Sequence, residues 1–310
     1  MGAAGHHEPW DPRRVGIALA AYQPNPVWLA EQLASIAAQT HTEWICMITL
    51  DSPLQEIRSA PGLVPFMHDE RFTWVENPER LGLRSNFQKA TQLLIARGVD
   101  LIAFCDQDDV WLPDKLTRAI SALVDSEADG YSSDLLSFYE TGRFRSIKKG
   151  GKQKRFDYLF QGASAGCTYV LSVPLADEVR SKFGEERVLE RLPSRASHDW
   201  LIYALCRGVG RRWTMGRTAN ILYRQHASNA YGARSGLAGL FSRWQLALSG
   251  WYLEHVLFLR EILPGTRDHQ RIFSAIQRFS LADRIWLALN SGYFRRTHRD
   301  AIFLAIFFLI

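Results

Sequence analysis

The stretch LIAFCDQDDVWLP, residues 101–113, decides the fold. Its unbroken apolar start is typical of a β-strand that is buried on both faces, as in a parallel sheet. Asp106, Asp108 and Asp109 follow directly, and Pro113 suits the first turn of a helix. The stretch therefore predicts a strand over 100–105 whose carboxyl end presents three carboxylates.

The same alternation of strand and helix patterns fills the first 130 residues. Strands are predicted over 15–22, 44–50, 72–75 and 100–105, and helices over 26–39, over 84–97 and from Pro113 onward. This order predicts βαβ units, hence an α/β fold with a Rossmann-like, mainly parallel central sheet and flanking helices. Ligands bind such sheets at the carboxyl ends of the strands, so the loops after residues 22, 50 and 105 are candidate sites.

The pattern changes after about residue 131. We predict a strand over 166–172, helices over 173–183 and around 197–206, short strands over 211–215 and 219–226, and helices from about 236 onward. The changes divide the chain into an N-terminal tail (1–14), a main domain (15–235) and a helical C-terminal extension with an apolar tail (236–310).

Charge is distributed unevenly along the 310 residues. Residues 1–134 carry 10 basic and 19 acidic side chains, residues 135–239 carry 18 and 8, and residues 240–310 carry 9 and 5. A general nucleic-acid binder would spread a basic face more evenly, so nucleic acid is not an expected partner. The distribution instead predicts one half that binds a cation and another that meets anions.

The cysteines and the ends of the chain bear on its compartment. Cys46, Cys105, Cys167 and Cys206 are widely spaced in apolar runs, which indicates buried free thiols rather than a zinc site. The N-terminus lacks the apolar segment of a signal peptide, and no stretch reaches the roughly 20 apolar residues that span a bilayer. We expect a cytoplasmic protein.

The three carboxylates after the strand repel one another, and a divalent cation is the simplest reason to gather them. Carboxylate oxygens suit Mg²⁺ or Mn²⁺, with substrate phosphates completing the shell. Two chemistries use such a motif: the Asp-x-Asp of nucleotide-sugar transferases and the Asp-x-Asp-x-Thr/Val of haloacid-dehalogenase phosphatases. The phosphatase motif usually follows the first strand and has an aliphatic residue where Trp111 stands, so the transferase is favoured.

Several blocks together resemble the family-2 inverting glycosyltransferases of the GT-A fold, and most closely their rhamnosyltransferase-like branch. They are VGIALAAYQPNPVWLAEQLASIAAQT (15–40), ENPERLGLRSNFQKA (76–90), IAFCDQDDVWLPDKL (102–116), GCTYVLS (166–172), SHDWLIYAL (197–205) and YRQHASNAYG (223–232). The family's Asp-Asp-Gly-Ser after the second strand is reduced here to Leu50, Asp51 and Ser52. The resemblance divides the main domain into a nucleotide-binding half, about 15–130, and an acceptor half, about 131–235.

The resemblance also implies roles for individual residues on the donor side. The implied nucleotide-sugar contacts are Ala21, Tyr22, Asp51, Arg84, Asn86, Asp106, Gln107 and Arg224. The implied metal ligands are Asp106, Asp108 and His226, which would hold Mn²⁺ or Mg²⁺ on the diphosphate.

On the acceptor side, an inverting transfer needs one general base on the attacking hydroxyl. The resemblance points to Asp199 as that base, with His198 and Trp200 beside the acceptor. For Ser197 or Asp199, helix capping is the alternative reading. For Trp200, as for Trp111 and Trp213, core packing is the alternative.

Two further segments have polar or apolar character of their own. The run 143–155 carries seven basic residues and is either a solvated loop or a contact for an anionic acceptor or phospholipid headgroup. The apolar run AIFLAIFFLI, 301–310, follows Arg295, Arg296, His298 and Arg299. It is either a core helix or an interfacial membrane anchor.

Together these observations predict a metal-dependent inverting glycosyltransferase at the inner face of the cell membrane. It would move a sugar, rhamnose by subfamily resemblance, from a dTDP- or UDP-sugar to a cell-surface polysaccharide or lipid-linked glycan. The alternatives are a haloacid-dehalogenase-like phosphatase with Asp106 as nucleophile and a non-catalytic, membrane-tethered binding protein.

Overall fold

The computed structural model describes residues 12–139, 141–193, 196–226 and 250–310. Most of the predicted N-terminal tail, and the predicted boundary at residue 235, lie outside the described residues. The strands are β1 (Val15–Ala21), β2 (Trp44–Leu50), β3 (Phe72–Glu76), β4 (Leu101–Cys105), β5 (Val110–Trp111), β6 (Gly130–Ser133), β7 (Leu135–Tyr139), β8 (Phe144–Ile147), β9 (Val170–Ser172), β10 (Trp213–Gly216) and β11 (Ile221–Gln225).

Helices flank these strands and form the C-terminal region. They are α1 (Pro26–Ala37), α2 (Val64–Met67), α3 (Leu83–Ile95), α4 (Lys115–Asp125), α5 (Asp157–Phe160), α6 (Val173–Gly184), α7 (Glu186–Arg191), α8 (His198–Gly208), α9 (Trp251–Ile262), α10 (Arg267–Arg278), α11 (Leu281–Leu289), α12 (Ser291–Phe294) and α13 (His298–Leu309). Local chemistry sets their starts: the Asn25 side chain accepts hydrogen bonds from two amides of the first turn of α1, and Thr297 caps α13 in the same way.

The central sheet is seven-stranded, in the order β10-β6-β9-β4-β1-β2-β3. Strands β1, β2, β3 and β4 are mutually parallel, and β9 runs antiparallel between β4 and β6. From β1 the chain moves outward through β2 and β3 and then returns to place β4 on the other side of β1. This reversal makes the carboxyl ends of β1 and β4 a topological switch point, where such sheets bind ligands.

A second, smaller sheet lies beside the first, in the order β5-β11-β7-β8. It pairs β5, just after the acidic loop, with β11, so the segment ending at His226 is brought back beside residues 106–109. The sequence did not predict β5 to β8. In particular, the basic run 143–155 is not all loop, because Phe144–Ile147 pairs with β7 as an edge strand.

The core has one layer on each face of the central sheet because side chains alternate along the buried strands. Val15, Ile17 and Leu19 pack with α1 and α4, whereas Ala18 and Ala20 pack with α3, α6 and α8. The second layer continues into helices α9 to α13. The C-terminal helices therefore share a hydrophobic core with the sheet-forming part of the chain.

Most of the predicted elements are confirmed, with shifted ends. The helix expected from Pro113 begins at Lys115, and the strand expected over 166–172 is a 3-10 turn, Gly166–Thr168, followed by the short β9. The mixed α/β architecture with a mainly parallel sheet and a helical C-terminal region is as predicted. Among the described residues, no helix is both long and apolar enough to cross a bilayer.

The packing of β6 against β10 gives a stability test. A Cβ atom at Gly130 would lie 2.3 Å from a ring carbon of Trp213, whose ring is buried. Gly130→Ala is expected to lower the free energy of unfolding by about 1–3 kcal/mol through overpacking. Gly292→Ala is the control, because a Cβ atom added at Gly292 would meet nothing within 4 Å. Equal urea midpoints for the two variants would contradict the packing described.

Candidate active site

The acidic loop lies at the switch point, beside the end of β1. The amide of Tyr22 donates a 2.8 Å hydrogen bond to the side-chain oxygen of Gln107, which joins the ends of β1 and β4 directly. Ala21 is buried, and its carbonyl accepts from the amide of Asp51 at the end of β2. The structure thus brings together Ala21, Tyr22, Asp51 and Gln107 as the sequence predicted.

Asp51 and Asn86 form a buried network that holds the loop after β3. The Asp51 carboxylate accepts from the side chain of Asn77 at 2.7 Å and from the amides of Leu81 and Gly82 at 3.1 and 2.7 Å. The Asn86 amide group donates to the carbonyl of Thr49 and accepts from Asn77. Both side chains therefore fix the walls of the site, and a nucleotide contact remains a prediction for each.

The loop after β3 places the guanidinium of Arg80 over the rim of the site. The guanidinium of Arg80 lies 4.1 Å from the centre of the Tyr22 ring, and Tyr22 is 39% exposed. Such a stacked pair offers a flat surface and a positive charge to an incoming group. Arg80 was not among the predicted site residues, although it stands in the block 76–90.

The side chain of Arg84 is more buried than a side chain at a solvent-exposed helix start would be. Burial lowers the pKa of Arg84, and its Nε is buried with no hydrogen-bond partner in the described structure. Together with Phe87, Phe104 and His198 it lines a small apolar cleft between α3, α6 and α8. Arg84 therefore faces the α8 side of the site.

The carboxylates of the acidic loop are crowded and only partly neutralised. Burial and the charges of Asp108 and Asp199 raise the pKa of Asp106 to about 7. Burial, with the charges of Asp106 and Asp108, also raises the pKa of Asp109 well above its usual range. One Asp109 oxygen accepts from the amide of Arg224 at 3.0 Å, and the other is buried without a partner in the described structure.

Cys167 and Lys115 lie behind this loop. Ligand atoms of Asp106, Asp109 and Cys167 lie within 4.8 Å of one another. Burial raises the pKa of the Cys167 thiol well above its usual range, so without a bound cation the sulfur is protonated. Burial lowers the pKa of Lys115 to about 8, and its ammonium lies 3.9 Å from the centre of the Trp111 ring.

Asp108 meets the end of β11. Its carboxylate lies 2.7 Å from Nε2 of His226, whose ring packs on Trp28 with centroids 4.8 Å apart. Of the predicted ligands, Asp108 and His226 are therefore in direct contact, and Asp106 lies near enough to Asp108 for their charges to interact. The carboxylate oxygens suit Mn²⁺ or Mg²⁺, and a cation would offset the negative charge that, together with burial, raises the pKa of Asp106.

Arg224 holds the loop from behind. Its guanidinium pairs with Glu31 and donates to the carbonyl of Asp108 at 2.7 Å. The rings of Trp28 and Phe138 lie beside it, and the residue is 7% exposed. This placement speaks against the predicted grip of Arg224 on a diphosphate, because the guanidinium already has protein partners.

Asp199 begins α8 across from the acidic loop. One of its oxygens accepts from Ser197 and, at 2.8 Å, from the amide of Trp200. Within the described part of the chain, no group donates to its other oxygen. One Asp199 oxygen thus serves an amide of the first turn of α8, and the role of the other oxygen as general base remains a prediction.

His198 and Trp200, the sequence neighbours of Asp199, lie in different surroundings. The His198 ring packs on Phe87 at 5.6 Å, and burial lowers its pKa although the charge of Asp199 opposes this. Trp200 is buried, its ring stacks on His255 at 3.9 Å, and its N–H donates to the carbonyl of Tyr158. The prediction that Trp200 lies on the acceptor side is wrong, because its whole side chain is packed in the hydrophobic core.

Residues 17–169 match the model of Glycosyl transferase family 2. This stretch is a family-2 glycosyltransferase domain. The chain is 27% identical over 284 residues to the dTDP-rhamnosyl transferase RfbG of Shigella flexneri, covering 91% of this chain and 96% of that protein. It is also 29% identical over 119 residues to the succinoglycan biosynthesis protein ExoW of Rhizobium meliloti, covering 38% of this chain and 36% of ExoW.

Solved structures agree with the fold. Residues 1–349 of TarS from S. aureus superimpose with a TM-score of 0.55 at 12% identity, covering 89% of this chain and 74% of that one. The same protein in complex with UDP-GlcNAc gives a TM-score of 0.58 at 11% identity, covering 89% and 75%. The GT-A fold is thereby confirmed, and the chain is a glycosyltransferase. The phosphatase and the non-catalytic protein are therefore not supported.

The crowding of carboxylates predicts a pH dependence of stability in metal-free buffer. The pKa of Asp106 is about 7 in the folded chain, against 3.8 for an ordinary aspartate. Between these values the folded chain keeps a proton that the unfolded chain has lost, so the free energy of unfolding falls as pH rises. Asp106→Asn should therefore raise Tm at pH 8, by about 2–4 °C for each kcal/mol regained.

At pH 3 the same variant should melt close to the unmodified chain, because Asp106 is then mostly protonated in both the folded and the unfolded state. Asp125→Asn, on the exposed face of α4, is the control and should leave both curves unchanged. A destabilised Asp106→Asn at pH 8 would show that the charge of Asp106 is well compensated in the folded chain.

Proposed function

We propose that this chain is a metal-dependent inverting glycosyltransferase that moves rhamnose from dTDP-rhamnose to a glycan or lipid-linked acceptor. The observation that carries the proposal is the contact between Asp108 and His226 at the switch point, with Asp106 near enough to Asp108 and Asp199 for their charges to act with burial in raising its pKa. The similarity to RfbG over nearly the whole chain supports rhamnose and dTDP as donor.

In the proposed reaction the acceptor oxygen attacks the anomeric carbon while the bond to the diphosphate breaks. Asp199 takes the proton from that hydroxyl through the oxygen that does not cap α8. His198, kept neutral by burial, and Arg84 form the wall beside it. Tyr22 and Gln107, joined by their hydrogen bond, form the wall toward the nucleotide.

On the donor side, Asp106, Asp108 and His226 would hold a divalent cation. When bound, such a cation offsets the negative charge that develops on the departing nucleoside diphosphate. Asp109 and Arg224 keep the loop in place from behind, through the amide of Arg224 and the carbonyl of Asp108. These contacts make the loop rigid before any ligand arrives.

We further propose that the chain works at the inner face of a membrane, through an apolar surface on α11 and α13. Half of the large apolar side chains that are exposed in the described structure lie in its last thirty residues; they are Leu281, Ile285, Leu289, Tyr293, Ile302, Ile306, Leu309 and Ile310. Their spacing places one stripe on each helix. Arg284 donates to the carbonyls of Phe308 and Leu309, so the start of α11 lies beside the end of α13 and the stripes adjoin.

The basic side chains just before and at the start of α13 do not all face outward, as contact with lipid headgroups would require. Arg295 and Arg296 were predicted to meet lipid headgroups, but they bond inward to the carbonyls of Phe160 and Gly162. His298 and Arg299 are exposed and remain available to an anionic surface. Arg143 and Arg145 flank the exposed Phe144 on the edge strand β8 and supply further positive charge toward an anionic acceptor.

The donor and the metal are tested together by thermal melting with dTDP, UDP and GDP, each with and without Mn²⁺. We expect dTDP with Mn²⁺ to raise Tm most, since a ligand at a hundredfold excess over Kd stabilises by about 2.7 kcal/mol. Asp108→Asn should abolish the part of the rise in Tm that requires Mn²⁺, and Asp125→Asn should leave the whole rise unchanged. A shift unaffected by Asp108→Asn would refute the metal assignment, and a preference for UDP or GDP would refute the donor.

The base is tested by turnover of dTDP-rhamnose. Asp199→Asn should lower kcat by at least about 100-fold, the low end of what general base catalysis contributes, with little change in KM for the donor. The anomeric configuration of the product, read by NMR, should be opposite to that of the donor. Full activity of Asp199→Asn, or retention of configuration, would exclude the proposed step.

Membrane contact is tested by sedimentation with vesicles that contain anionic phospholipid. Ile302→Ser with Ile306→Ser should reduce the bound fraction several-fold, because the stripe would lose apolar area. Leu189→Ser is the control, because Leu189 is an exposed apolar residue outside this surface. Unchanged binding of the double variant would refute the surface, and a loss of dimer instead of lipid binding would assign it to a second copy of the chain.

A further inference from the structure

A buried ion-pair network joins the C-terminal region to the segment in front of Asp199. The carboxylate of Asp157 is fully buried and lies 3.0 Å from Arg296 and 3.6 Å from Arg207. The hydroxyl of Tyr203, on α8, also donates to it. An arginine between the short helix α12 and α13 is thus anchored in the interior of the sheet-forming part of the chain.

From this anchor Arg296 reaches the loop that follows α5. Its Nη2 donates to the carbonyls of Gly162 and Ala163 at 2.7 and 3.1 Å. The side chain is 8% exposed, so water does not compete for these bonds. A forked guanidinium can serve the Asp157 carboxylate and the two carbonyls at once, which an ammonium cannot do.

The same loop continues to the first turn of α8. The amides of Ala163 and Ser164 donate to the hydroxyl of Tyr169, whose one proton lies within reach of the carbonyls of Asp199 at 3.2 Å and Ser164 at 3.3 Å. Gly166 is in close contact as well, since a Cβ there would lie 2.8 Å from Nε2 of His198. The loop 162–166 therefore lies directly against both polar residues that begin α8.

We infer that Arg296 and Tyr169 are positioning residues for Asp199, acting through the loop 162–166. The helical C-terminal region is then part of the catalytic apparatus. Neither residue touches the reacting atoms; Arg296 fixes the loop and Tyr169 links it to the backbone of Asp199. The inference rests on the proposed role of Asp199 as base.

Steady-state turnover of dTDP-rhamnose with Mn²⁺ separates positioning from binding. Arg296→Lys and Tyr169→Phe should each lower kcat about 10- to 100-fold, the cost of a small displacement of a reacting group, with KM for the donor within about twofold. Arg278→Lys is the matched control, since Arg278 is an ion-paired arginine of the same region at the surface. It should be indistinguishable from the unmodified chain.

Combination with Asp199→Asn tests whether the effect passes through the base. If it does, Arg296→Lys should cause no further loss of kcat in that background. A raised KM at unchanged kcat, or full additivity with Asp199→Asn, would overturn the inference. If Asp199→Asn alone retains activity, the proposed base fails, which is a separate result.

Amide hydrogen exchange gives a readout that does not depend on the donor. In Arg296→Lys and in Tyr169→Phe, exchange should be faster at residues 162–166 and 198–201, whereas β1 and β4 should stay protected. Unchanged exchange at both segments would overturn the inference even if activity fell. Faster exchange throughout the chain would also overturn it, because the residues would then serve stability in general.

Discussion

The mutual repulsion of the carboxylates at the end of β4 is the constraint on which the rest of the site depends. Asp106, Asp108 and Asp109 project from one short loop, and burial raises the pKa of two of them. The amide of Arg224 donates to Asp109, and the imidazole of His226 contacts Asp108. These partners hold the loop without cancelling its charge, so the site remains ready for a cation and a diphosphate.

The topology explains how those partners arrive. Pairing of β11 with β5 returns the chain to the acidic loop more than a hundred residues after it leaves, and this places Arg224 and His226 beside Asp108. On the other side, α8 begins with Asp199 and is braced by the C-terminal helices through Trp200, Asp157 and Arg296. Donor and acceptor sides are thus built by different layers that meet at one edge of the sheet.

The sequence predicted the part of this arrangement that depends on local pattern. Buried strands such as β1 and β4 show as apolar runs, and the carboxylates after β4 mark a site because three of them stand together. The second sheet was not predictable, since β5 to β8 are short and lack a clear alternation. The burial of Arg224 and Arg296 was missed for another reason: each has a side chain typical of ligand contacts, and only distant segments such as Glu31 and Asp157 turn it inward. For Trp200, core packing was already the alternative interpretation, and the contact with His255 decides for it.

The central claim is that Asp108 and His226 hold a divalent cation together at the switch point. Pulsed electron paramagnetic resonance of Mn²⁺ bound to the chain with dTDP tests it most directly. We predict nuclear modulation from one imidazole nitrogen and from phosphorus, with the nitrogen signal lost in His226→Gln while the phosphorus signal remains. A Mn²⁺ spectrum with phosphorus but no nitrogen coupling in the unmodified chain would contradict the account.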